Sequence, residues 1–317
     1  MQFTKMIGCV FVLCLALLLG GSPAIGDEAK FRYKFNAGDI FMYKLINSQT
    51  DEQNGMKMNS EQVQYYQEKV QSVEGDEATI ERVFTRFTSE SNDPRKSKTS
   101  FDSAAEEEST DPNAEMYKTM IDIPINIKMN TRGKILSISG CSQMVKNMID
   151  KMVGDDAGTP RAQMKIKMMK KILSDESMTQ MLSQSITEFP EGEIKPGESW
   201  EKNSHVFFPM IGDLDFNVKN TLESLADDVA KVKMVGKMEM KPIEEDDAAD
   251  PKDPFAALRK LMKITESTLD GTVEFDNEQG LIKKKVQNTT LIINIRGQEV
   301  HTKQSSILEL ESFKPAK

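Results

Sequence analysis

The sequence predicts an α+β protein in which long, curved antiparallel β-sheets form two duplicated halves covered by a central helical insert. Three observations carry this expectation. Apolar residues alternate with polar ones over long stretches at both ends of the chain. Between them, methionines and aliphatic residues recur at helical spacing. Several landmarks also appear twice, in the same order.

The alternation is clearest where Ile123, Ile125, Ile127 and Met129 interleave with Pro124, Asn126 and Lys128. It returns where Ala230, Val232, Met234, Met238 and Met240 interleave with Lys231, Lys233, Lys237 and Glu239. A period of two with one apolar face is a half-buried antiparallel strand. Residues 39–53, 57–73 and 76–90 read as strands joined by turns at Gly55 and Gly75, and 212–224, 228–241, 264–276, 281–296 and 299–312 read similarly. Most strands are shorter than these, and because sheets twist, long strands in a meander imply curvature.

The helical insert spans 141–190. Met144, Met148 and Met152 are four apart, with Val145, Ile149 and Val153 beside them. Met168, Met169, Ile172 and Leu173 form a second stripe, and Met178, Met181 and Leu182 a third, behind a cap at Ser174 and Asp175. Each stripe is one face of an amphipathic helix.

The duplication rests on four pairs. Gly38-Asp39-Ile40-Phe41 matches Gly197-Glu198-Ser199-Trp200, and the stretch from Asp76 matches that from Asp227. Asp111-Pro112 and Asp253-Pro254 each open a D-P-x-A frame, in which Asp accepts from free helix-start N–H groups and Pro suits the first turn. Hairpins with polar turns ending in Gly133 and Gly280 complete the set, glycine there supplying a positive φ. The predicted boundaries are 1–26, 27–140, 141–190 and 191–317, the second and last being the β-rich repeats.

Residues 1–26 have the form of a secretory signal. Lys5 precedes an apolar run, and Ala24 and Gly26 occupy small-residue positions before a cut near Gly26. A secreted or periplasmic location follows. No later stretch is apolar enough to span a membrane. Cys141 is the one cysteine beyond this segment, so no internal disulfide is expected and a buried thiol is. A formal charge of −9 without a basic stripe argues against nucleic acid as a partner.

No catalytic constellation appears, so a non-enzymatic role is expected and no cofactor is implied. His205 and His301 accompany no nucleophile motif and no metal-ligand spacing. The acidic runs 106–111 and 244–250 lack the glycine and terminal glutamate of a calcium loop. What stands out is methionine, at 21 residues against one tryptophan. Unbranched, polarizable methionine suits surfaces that adapt to varied apolar partners. The candidate ligand-lining residues are therefore Met129, Met144, Met148, Met152, Met168, Met234, Met238 and Met240. The leading function is binding of an apolar ligand or lipid between sheet and helices. Its rival is a structural or interaction protein of the cell envelope with a solid core. Copper binding through the Met56-x-Met58 and Met238-x-Met240 pairs is a third reading.

Gly38-Asp39-x-Phe41-x-Tyr43-Lys44, the run FPEGEIKPGESWEK at 189–202 and the late LDGTVEFD…GLIK hairpin resemble a group of bacterial secreted or envelope proteins known as a domain of unknown function. The resemblance spans about residues 31–312. Its motifs are turns and strand starts, so it implies no catalytic residue. In outline, long curved strands with covering helices are also similar to LolA-type lipoprotein carriers.

Overall fold

The period-two segments become strands, and most of them are long. In the computed structural model, which describes residues 28–94, 97–106, 109–153, 158–208, 211–241 and 259–316, the N-terminal strands are β1 (Ile40–Gln53), β2 (Met56–Glu74), β3 (Glu77–Asn92), β4 (Thr99–Asp102), β5 (Pro124–Asn130) and β6 (Ile135–Ser139). The C-terminal strands are β7 (Ser199–Phe208), β8 (Gly212–Ala226), β9 (Val229–Met240), β10 (Met262–Asp276), β11 (Leu281–Ile295) and β12 (Gln298–Lys314). A short helix, α1 (Ala114–Lys118), precedes β5. Three more, α2 (Cys141–Val153), α3 (Pro160–Ile172) and α4 (Asp175–Ser185), separate β6 from β7. The signal segment, the second Asp-Pro frame and the acidic run 244–250 lie outside the described residues.

The expected α+β fold of two duplicated halves is not what forms. The protein is mostly antiparallel β, 59% strand and 15% helix, in one 12-stranded sheet that does not close. Its order is β6-β5-β3-β2-β1-β12-β11-β10-β9-β8-β7, with β4 on β3. The first and last strands, β1 and β12, pair antiparallel from Ile40↔Lys314 to Glu52↔His301 and weld both ends of the chain into a single layer. Alternation specifies which face of a strand is apolar, not which strand lies beside it.

The recurring landmarks are local devices for starting a strand. The Asp39 carboxylate accepts from the Asn36 N–H, and the Gly38 N–H donates to the Val70 carbonyl. Likewise the Glu198 carboxylate accepts from the Lys195 N–H, and the Gly197 N–H donates to the Leu222 carbonyl. The first Asp-Pro frame lies ahead of α1 and does not cap it: Asp111 accepts from the Asn113 N–H, and Asn113, the residue flanking the helix, makes no side-chain cap. Two-residue turns at Asn54-Gly55, Asp227-Asp228 and Arg296-Gly297 hold both residues at positive φ, which matches the twist of the flanking strands.

Strands β6 and β7 are the two ends of the sheet, and both pack against α4, so the sheet curls until its edges flank one helix. The polar side of α4 serves those edges. The Ile138 N–H of β6 donates to Thr179 Oγ1, and the Phe207 N–H of β7 donates to Gln180 Oε1. Unpaired edge groups are thereby satisfied without strand pairing. Ser174 caps α4 by accepting from the Ser177 N–H, at the position the sequence indicated.

The core lies on the face that α4 covers. Phe31 and Tyr33, from the segment ahead of β1, pack against Phe189 and Phe275, with Phe189 and Phe275 ring centroids 4.6 Å apart. The Tyr33 N–H donates to the Thr131 carbonyl and the Lys34 N–H to the Gly280 carbonyl. This segment is therefore a strap across the hairpin turns at one end of the sheet. Cys141 is fully buried beside Asp175, and burial pushes its thiol up to about 12.

Candidate functional site

The inner face carries more than apolar side chains. In β2 and β3, Glu68 and Arg82 sit in phase with Tyr66, Val70, Ile80 and Phe84, which turns both charges inward. The Arg82 Nε donates to Glu68 Oε1 at 2.9 Å, and its guanidinium lies 4.4 Å from the Tyr66 ring centroid. Burial opposes the charge on Arg82, but Glu68, through its charge and its hydrogen bond, together with Tyr66 and Tyr43, raises the pKa. Tyr33, Tyr43 and Tyr66 around this pair are all held protonated, first by burial; Glu68 adds to the shift in each.

A second pair of charges meets the end of α4. Lys202 of β7 donates to the Ser183 and Ile186 carbonyls, and Lys285 of β11 to the Ser185 carbonyl. These are among the carbonyls a helix C-terminus leaves without partners. Burial lowers Lys202 to about 8, and burial together with Lys202 lowers Lys285 to about 7.

Space between sheet and helices is small. One cavity of about 60 Å³ is lined by Tyr33, Tyr43, Tyr66, Arg82, Met129 and Ile186 among others. A neighbouring one of about 40 Å³ has Ile186, Thr187, Lys202, Asn220, Met234 and Lys285 in its wall. Two larger openings lie away from this interface. A polar cleft of about 500 Å³ follows the distal strands, with Asn47, Gln49, Ser60, Gln62, Ser89, Ser91 and Gln304 in its lining. A groove of about 420 Å³ runs among the helices, with Val145, Ile149 and Leu173 as apolar lining and Ser142, Lys146, Lys170, Ser174 and Asp175 around them.

The methionines are distributed, not gathered. Met144 and Met148 are buried on the inward side of α2, and Met129 and Met234 lie buried on the sheet, each lining one of the small cavities. Met238 is buried with Val206, Leu214 and Phe216 in a separate cluster, and Met240 is half-buried against it. The side chains of Met152 and Met168 lie outside the described residues. Residues that methionine counting missed are Lys202, Lys285, Lys146 and Lys170. The signal was available for the first: Lys202 falls in phase with Trp200 and Val206, where a solvent-facing charge does not belong.

His205 lies exposed between Asp213 and Asp215, at 2.7 and 2.9 Å, and His301 lies 3.6 Å from Glu299. Among the described residues, no group of three His, Cys, Asp or Glu converges as a metal site would require. Nor, among them, is any helix long and apolar enough to cross a membrane.

Fold and openings together define a class: a single curled antiparallel sheet, bridged edge to edge by a helical layer that carries its own amphiphilic groove. Residues 75–282, from the turn before β3 into β11, match a family of unknown function (DUF6263), and the chain belongs to that family. No curated protein matches the sequence. Among solved structures, one described by lipid–protein interactions in lipovitellin is similar with a TM-score of 0.50 at 12% identity, over 90% of this chain and 26% of that one. This chain thus spans about a quarter of that protein, and the likeness is one of fold. A Bacteroides fragilis protein with a YmcC-like fold gives a TM-score of 0.27 at 11% identity, over 90% of this chain and 100% of that chain. The translocator domain of the autotransporter NalP from Neisseria meningitidis gives 0.21 at 6%, over 87% and 89%. A likeness to LolA-type carriers is not shown.

Proposed function

We propose that this protein binds a single-chain amphiphile with an anionic head, outside the cytoplasm and without chemistry of its own. The observation that carries the reading is the groove among α2, α3 and α4. Its volume of about 420 Å³ falls within the range of small-molecule sites, roughly 300–1,000 Å³. Val145, Ile149 and Leu173 offer an acyl chain an apolar wall, and Lys146 of α2 and Lys170 of α3 offer its head two positive charges. The proposed ligand therefore lies within the helical layer, not beneath it. The fold shared with part of lipovitellin supports this reading by analogy of architecture.

A fluorescent fatty-acid probe titrated into the purified protein tests it. Saturable binding is expected, weakened roughly tenfold or more by Leu173→Glu, which sets a charge against the acyl chain. The double variant Lys146→Glu/Lys170→Glu should weaken the anionic probe several-fold while sparing a neutral monoacylglycerol. Equal affinity in all three proteins, or no saturable uptake, would overturn the proposal.

A second reading, an interaction protein with a solid core, is favoured by the tight packing between sheet and helices. Native mass spectrometry separates the two, since a co-purifying acyl ligand argues for binding and a bare mass with no probe uptake for the solid core.

A further inference from the structure

We propose that the small cavity at the C-terminal end of α4 is a binding site for a monovalent anion of halide size, held by Lys202, Lys285, Thr187 and Asn220. The cavity holds about 40 Å³, more than one water requires and too little for an acyl chain.

Charge and donor counting both point to an anion. A lysine ammonium has three N–H donors. Lys202 directs hydrogen bonds to two carbonyls and Lys285 to one, so each keeps spare donors, and both side chains line the cavity. Thr187 is buried and lines the cavity, yet its hydroxyl oxygen has no hydrogen-bond partner. Asn220, also buried, lines the same wall with Gln287. The acid in that wall is Glu188, which lies 3.3 Å from the Arg132 guanidinium and supports the Lys202 charge by less than burial opposes it. Positive charge is thus in surplus. Partial negative charge at the end of α4 offsets some of it. A buried ammonium left without a counter-charge either loses its proton or acquires an anion.

The titration has a definite sign. Unfolded lysine keeps its proton up to about 10.5, whereas folded Lys285 releases it near 7 and Lys202 near 8. Between these limits the unfolded state binds more protons, so without an anion stability from this pair rises with pH. A bound anion favours the charged lysines, so its stabilisation is greatest at or below neutral pH and fades as they deprotonate.

The test compares thermal unfolding in sodium chloride and sodium gluconate at equal ionic strength. At pH 6.5 chloride should raise the melting temperature saturably and gluconate should not. At pH 9.5 the difference should shrink severalfold. Thr187→Val should move the chloride midpoint several-fold higher, and Lys285→Met should abolish the chloride response; if that variant does not fold, the pH series on the parent protein decides. In crystals soaked in sodium bromide, an anomalous peak between the two Nζ atoms supports the site. Identical melting in both salts at both pH values, or bromide only elsewhere as an adventitious ion, would refute it.

Discussion

Arg82→Met should cost about 3–5 kcal/mol of stability, the usual penalty for stranding one member of a buried ion pair. Glu68 and Arg82 are largely shielded from water, with side-chain exposures of 15% and 9%. Their association recovers desolvation that neither charge could bear alone. Removing the guanidinium leaves Glu68 among tyrosine rings with no other cation paired to it among the described residues, and it also removes the face packed on Tyr66. Much of the loss should disappear in Arg82→Met/Glu68→Leu, because replacing both charges removes the stranded one. Urea denaturation of the single and double variants measures this. A double variant no better than Arg82→Met would show that the pair's attraction, not the stranded charge, dominates.

Gly280→Ala should be the next most damaging substitution, by roughly 2–5 kcal/mol from strain and overpacking together. Gly280 has φ +68° and closes the turn between β10 and β11, its N–H donating to the Asp276 carbonyl. A Cβ there would lie 2.4 Å from the Lys34 backbone nitrogen. That atom belongs to the strap that carries Phe31 and Tyr33 into the core, so relief of the clash lifts the strap. Gly75→Ala is the control, with φ +63° and nothing within 4 Å of the added carbon. It should lose only the left-handed backbone term, about 1 kcal/mol. Equal losses in the two variants would show that the close approach contributes nothing.

The glycine case separates what was readable from what was not. A polar cluster ending in glycine after an alternating strand marks a turn, and the sequence placed Gly133 and Gly280 in that role. Nothing nearby announces that the chain's own N-terminal strap presses on both turns, because Lys34 and Gly280 are far apart in sequence. The candidate sites divide similarly. The spacing of Met144 and Met148 located the inward stripe of α2, but the same spacing serves a packed core and a ligand wall alike. Lys202 shares the phase of Trp200 and Val206, whereas Lys285 looks like a solvated strand residue until α4 is laid across it.

By itself the sequence determined the local alphabet: long strands of period two, three central helices with a capped third, turns at glycine, and a buried thiol at Cys141. Those features follow from interactions within a few residues of one another. Tertiary structure alone decided that β1 and β12 join, so that two apparent halves are one sheet, and that α4 bridges its edges and draws two lysines beneath its end. Strand pairing and burial depend on which surfaces meet across the fold, and patterning along a strand specifies a face without naming what will cover it.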